Sequence, residues 1–267
     1  MRYTLVSMLT AIALTQGAGA ETLDNADEIV ARANLAAYYA GADGRSEVRM
    51  IISDAQGREQ RRQFTVLRRD LDDAGDQSFL VVFSQPSDVR DTVFLVDKHV
   101  TREDDRWLYL PGLDLVKRIS AGDKRTSFVG AHYFYEDVSG RRPAEDTHEL
   151  VETSTDFYVL KHVPLDPRSV EFTSYVTWID RSSFLPMKID YTNAAGDVYR
   201  RVEVIEVIDV EGHPTVTASR VSDLQTGGRT DMQFRNIAYD LGIPADVFTE
   251  RSLRNPPREW LQRPASR

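Results

Sequence analysis

From Ser46 to Tyr239 the apolar residues recur with a period of two, and this alternation constrains the fold more than any other feature of the sequence. Val48, Met50 and Ile52 alternate with Glu47, Arg49 and Ile51, and the turn from Asp54 to Gly57 leads into Arg58 to Arg69. Phe79, Val81 and Phe83 share one strand face, with Leu80 and Val82 on the other. Leu110-Pro111-Gly112-Leu113 reads as a type II turn that joins Arg106 to Leu110 with Asp114 to Ser120 as a hairpin. Further strand candidates are Asp156 to Val163, Glu171 to Asp180, Met187 to Thr192, Val198 to Val210, Thr215 to Leu224 and Thr230 to Tyr239. The spacing predicts a mainly β (α+β) fold with roughly ten to twelve meandering antiparallel strands.

A sheet of that length must curl, because open twisted sheets rarely exceed about ten strands without closing or splitting into two layers. Its interior then has two outcomes. Aromatic residues in the strands, among them Phe64, Phe79, Phe83, Phe94, Trp107, Tyr109, Phe172, Tyr175, Trp178 and Phe234, fill it as a sandwich core, or they line an apolar cavity. Composition does not choose between the two.

One clear helix precedes the strands. Asn25-Ala26-Asp27-Glu28 has the form of a capping box, with two acids at the positive end of the helix. Ala26, Ile29, Val30, Ala33, Ala37 and Ala40 follow at helical spacing, and Gly41 offers a stop. A stripe of such small residues lies close to a sheet yet gains little from burial. The helix is therefore expected either to close a core or to cover a cavity as a lid that lifts. No Pro/Ser-rich linker divides residues 21–267, which read as one domain, and the tail from Asn255, with Pro256, Pro257 and Pro264, reads as extended.

Residues 1–20 read as a cleaved signal peptide. Arg2 supplies a short basic region, Leu5 to Leu14 an apolar stretch too short to span a bilayer, and Ala18-Gly19-Ala20 a small-x-small cleavage site. The expected product is soluble and exported. The net charge of -9 gives no basic excess for a nucleic-acid groove, and the absence of cysteine excludes disulfides, thiolate metal sites and a lipid-modified cysteine. His99, His132, His148, His162 and His213 include no pair at i and i+4, and no Gly-x-Ser-x-Gly elbow occurs. Asp70 to Asp76 resembles a calcium loop but has Ala74 where a ligand belongs. No catalytic residue, metal or cofactor is expected.

A denser series runs through Arg106-Trp107-Leu108-Tyr109-Leu110-Pro111, Lys117-Arg118-Ile119-Ser120, Asp123-Lys124, Ser127-Phe128, Gly130 and Tyr135-Glu136-Asp137. Pro86-Ser87-Asp88, Thr92 to Leu95, Trp178-Ile179-Asp180 with Leu185-Pro186, Ile243-Pro244 and Phe248-Thr249 extend it to Leu253. The series resembles the LolA-like outer-membrane lipoprotein-sorting proteins, in the branch found beside RND-type lipid exporters. That resemblance implies a half-open antiparallel barrel of LolA/LolB type, covered by helices. It also implies a periplasmic carrier of lipid or lipoprotein acyl chains, not an enzyme. An RND-type inner-membrane exporter or an outer-membrane acceptor would be the partner, and the carrier itself a monomer. A lipid-sensing accessory subunit of an envelope membrane protein, or an enzyme acting on lipid or glycan, are the other readings.

Trp107 and Tyr109 share one strand face, with Arg106, Leu108 and Leu110 on the other. They form either a buried brace with a salt-bridged rim or a surface along acyl chains. The expected cavity residues are Trp107, Tyr109, Phe128, Phe79, Phe83, Met50 and Phe234, with Lys117 and Arg118 near the mouth for an anionic head group.

Overall fold

Thirteen antiparallel strands form one sheet in the computed structural model, which describes residues 23–262. The signal peptide expected over residues 1–20, and Pro264, lie outside the described residues. Helix α1 (Ala26–Tyr38) leads into β1 (Asp43–Ser53), β2 (Glu59–Asp70), β3 (Gln77–Gln85), β4 (Val93–Lys98), β5 (Asp105–Leu110) and β6 (Leu115–Arg118). A long crossing segment, residues 119–145, carries α2 (Tyr135–Ser139). The second meander is β7 (Asp146–Thr153), β8 (Phe157–Pro164), β9 (Ser174–Asp180), β10 (Pro186–Thr192), β11 (Val198–Val210), β12 (His213–Asp223) and β13 (Arg229–Tyr239). Helices α3 (Glu250–Arg254) and α4 (Arg258–Leu261) follow.

The strand order is β6-β5-β4-β3-β2-β1-β13-β12-β11-β10-β9-β8-β7, so two meanders join where β1 pairs with β13. The end strands β6 and β7 do not pair with one another, and the sheet is a half-open barrel. Register shifts in β1, β7 and β11 mark bulges, which bend long strands and increase their twist.

Thirteen strands exceed the ten to twelve expected, because alternation does not mark two of them. Val93 to Val96 are buried on both faces of β4, so that strand reads as an unbroken apolar run. The other, β7, is an edge strand whose outer half is largely exposed and keeps no regular alternation. The turn after Leu110 also differs: Pro111–Leu113 is a single 3-10 turn, and the left-handed residue is Asp114 (φ 45°), not Gly112.

Each face of the first meander carries its own core. Phe64, Phe79, Val81, Phe83, Phe94 and Met50 lie on the concave face. Leu67, Leu80, Val82, Val93 and Leu95 lie on the convex face, where Ile243, Val247, Phe248 and Leu253 cover them. The segment from Ile243 to Leu261 is thus a covering layer. Its helix α4 packs Trp260 and Leu261 onto the same cluster, and Arg45 donates to the Trp260 carbonyl at 2.9 Å and the Leu261 carbonyl at 3.0 Å. Buried Asp43 accepts from the Leu241 and Ile243 amides at 2.7 and 2.8 Å, which fixes where this layer starts.

Candidate functional site: a cavity beneath the N-terminal helix

The crossing segment fills one part of the barrel. Phe128 projects into the concave face and meets Phe64, Phe83, Phe94 and Tyr135 with ring centroids 5.5 to 6.3 Å apart. Burying so many rings dominates the packing of this half. Polar groups of the same segment form an ion network around Glu136, whose side chain is 2% exposed. Arg125 donates to it at 2.7 Å, and Lys124 and Arg141 approach at 3.2 and 3.5 Å. Burial alone would raise the Glu136 carboxyl, but the three cations outweigh it and hold the group near 2. Asp137 pairs with Arg200 at 2.5 Å, and Asp104 with the buried Arg106 at 2.6 Å. Lys124 and Tyr135-Glu136-Asp137 therefore brace the crossing segment.

The rest of the concave face stays hollow. A cavity of about 470 Å³, within the roughly 300–1,000 Å³ of small-molecule sites, lies between α1 and strands of both meanders. Val66, Ile189, Val202 and Phe234 line it and remain only half-buried, although they point inward. Ala33, Ala36 and Ala37 of α1, with Ala40 just beyond its end, form its roof. The two interiors left open by the sequence thus coexist, one filled by side chains and one a cavity.

Helix α1 crosses the mouth of the cavity and is anchored at both ends. Asn25 Oδ1 accepts from the Glu28 amide at 3.0 Å, while the Glu28 carboxylate pairs with Arg32 instead of closing the capping box. At the N-terminal end Ile29 and Ala33 pack on Tyr158, Leu160 and Ile179, and the Tyr158 hydroxyl accepts from the Leu23 amide at 3.1 Å. The last turn has no basic residue of its own. Arg68, beside Phe64 and Val66 on the inner face of β2, supplies that charge and donates to the carbonyls of Tyr38, Ala40 and Gly41. Gln77 also donates to the Tyr38 carbonyl at 2.8 Å, and the Lys98 ammonium lies 4.6 Å from the Tyr38 ring centroid. Burial lowers the Lys98 amine to about 8. Tyr38 rests on Gly140 so closely that a Cβ there would lie 2.4 Å from its ring, and the φ of +77° also favours glycine.

The second meander gives the cavity a polar end. His148 and His162 are directly opposed on β7 and β8, with Nδ1 atoms 2.7 Å apart. Tyr175 stacks on His162 with centroids 4.3 Å apart and donates to Asp146 at 2.8 Å, and Arg141 also holds Asp146 at 2.8 Å. Burial, then His148, lowers His162 to about 3.

Of the expected cavity residues, Phe79, Phe128 and Phe234 line the hollow. Met50 and Phe83 point to the same side but are sealed in the filled part. Trp107 and Tyr109 are a correction: strand parity sends them to the convex face, where they pack with the C-terminal layer. Lys117 and Arg118 are exposed on edge strand β6, Arg118 pairing with Asp105, and neither lines the cavity. Arg45, Arg68 and Arg141 do line it, and one of them carried a usable signal: Arg68 is a charge sharing a strand face with Phe64 and Val66. The histidine pair had none of helical spacing, because β7 and β8 bring it together across a hairpin.

A family model whose description reads "-like: Uncharacterized protein" matches residues 75–255, well over half of the chain. No curated protein matches the sequence. A DUF1329 family protein from Desulfovibrio piger is similar at 26% identity, with a TM-score of 0.78 over 85% of this chain and 97% of that one. A domain designated an outer membrane lipoprotein-sorting protein, from Vibrio parahaemolyticus, gives 26% identity and a TM-score of 0.77 over 86% and 98%. A LolA superfamily protein from Nitrosomonas europaea shares the fold at 19% identity and a TM-score of 0.65, over 85% and 98%. The family match makes the chain a member of that family of uncharacterized proteins, and its fold is that of the outer membrane lipoprotein-sorting and LolA superfamily structures.

Proposed function

We propose that this protein is a periplasmic carrier that takes the acyl chains of a lipid or lipoprotein into the cavity beneath α1 for transport toward the outer membrane. The observation that carries the reading is the hollow of about 470 Å³ roofed by alanines, in a barrel whose other half is filled by its own side chains. Burying a methylene is worth about 0.8 kcal/mol, so an alkyl chain crossing water needs such a container. An empty container exposes the same apolar surface, and a roof of small side chains covers it between loads without gripping hard. The lipoprotein-sorting designation of the Vibrio relative supports the same reading. Delivery requires a membrane-bound donor and acceptor, an RND-type exporter or an outer-membrane receptor, that lifts α1 or offers a deeper apolar site.

Organic extraction of the protein purified natively from a bacterial envelope, followed by mass spectrometry, tests this. Acyl lipid near one molecule per chain is expected. A lipid-free extract from protein prepared without detergent would overturn it.

A further inference from the structure

At the polar end of the cavity, one lining residue, His162, carries a buried nitrogen without a hydrogen-bond partner. The Pro143 carbonyl can only accept, so the His148 Nε2 that lies 3.1 Å from it carries the proton. In the neutral ring His148 Nδ1 is then a lone pair and accepts from His162 Nδ1–H at 2.7 Å. That leaves His162 Nε2 as an acceptor. His162 is 3% exposed, lines the cavity and is held in place by the Tyr175 ring, and its Nε2 is buried without a hydrogen-bond partner. An acceptor buried in that way costs free energy unless something donates to it.

We infer that the cavity selects a cargo carrying a hydrogen-bond donor, a hydroxyl or amide N–H on or beside its alkyl chain, which donates to His162 Nε2. The inference rests on the acyl-chain reading and adds to it the class of chain. The Pro143–His148–His162 relay fixes the acceptor, since each proton position follows from the one before. Burial disfavours a charged His162, so beside a neutral His148 its Nε2 stays an acceptor. An unsubstituted chain leaves the acceptor unmet, and a hydroxylated one meets it at the polar end while its methylenes fill the apolar part.

The test is titration of the delipidated protein with stearate and with a positional series of monohydroxystearates. At least one isomer should bind about tenfold more tightly than stearate, the effect of satisfying one buried acceptor. In His162→Phe that ratio should fall to near one. Nitrogen-15 spectra of the unmutated protein give a second readout: the favoured isomer should shift the His162 Nε2 resonance, whereas stearate should leave it in place. Equal binding of stearate and every isomer, a preference that survives His162→Phe, or an unmoved Nε2 resonance would overturn the inference while leaving the carrier reading intact. Failure of every chain to bind would overturn both.

Discussion

Arg68 donates to the carbonyl oxygen of Gly41 at 2.7 Å, and this contact ties the end of the roof helix to the strand beneath it. Burial lowers the Arg68 guanidinium, but neighbouring Asp70 offsets part of that cost. A single side chain from β2 therefore does what a basic last turn does in an isolated helix, and links the lid to the wall of the cavity.

Arg68→Ala should lower stability by about 1–3 kcal/mol, the cost of leaving several buried carbonyls unmet. Hydrogen exchange should show the loss concentrated in Ala26–Tyr38, with the strands still protected. Uniform protection across α1 and the sheet would show that Arg68 does not hold the lid.

Gly140→Ala should act on the same end from the opposite side. A methyl group there collides with Tyr38, and the left-handed backbone adds about 1 kcal/mol or more of strain. Urea unfolding should show a loss of at least that size, and unchanged stability would mean that Tyr38 has room to move.

Acid should destabilise the protein in two stages. His162 is lowered from 6.5 to about 3, so its contribution is complete above pH 6.5 and declines as pH falls toward 3. Glu136 is lowered from 4.5 to about 2, so its contribution is complete above pH 4.5 and declines toward pH 2. His162→Phe should reduce the slope between pH 6.5 and 4.5, leaving the part that His132, also lowered by burial, contributes. Glu136→Gln should reduce the slope below 4.5, which Glu145 and Glu171 share, and start about 3–5 kcal/mol lower at neutral pH, because three cations lose their shared partner. Thermal melts across pH check both, and a native profile flat down to pH 4.5 would contradict the His162 assignment.

The two faces of the sheet should respond differently to substitution. Trp107→Ala should cost about 1–3 kcal/mol through the convex core and leave acyl-chain affinity unchanged. Val66→Trp, on the inner face, should lower that affinity by filling the hollow. Competition with a fluorescent fatty acid separates the two, and lost affinity in Trp107→Ala alone would place the cavity on the wrong side.

Much of this was legible in the residues. Alternation located eleven of the thirteen strands, and the Asn25 cap and alanine stripe located α1. Strand parity grouped Phe79 with Phe83, and Trp107 with Tyr109, but which group faces inward depends on how the sheet curls, a property of the whole sheet and not of any one strand. Phe79 and Phe83 diverge for a further reason. Phe128, more than forty residues away in sequence, seals Phe83 and leaves Phe79 at the hollow. The His148–His162 pair depends on the β7–β8 register, and β7 keeps no regular alternation to mark it.

The central claim is that alkyl chains fill the hollow under α1, and a chain-length series measures it most directly. Calorimetric titration of the delipidated protein with saturated fatty acids of increasing length should show affinity rising about fourfold per added methylene, until the hollow is full and the gain stops. Affinity independent of chain length from the shortest acid to the longest would contradict it.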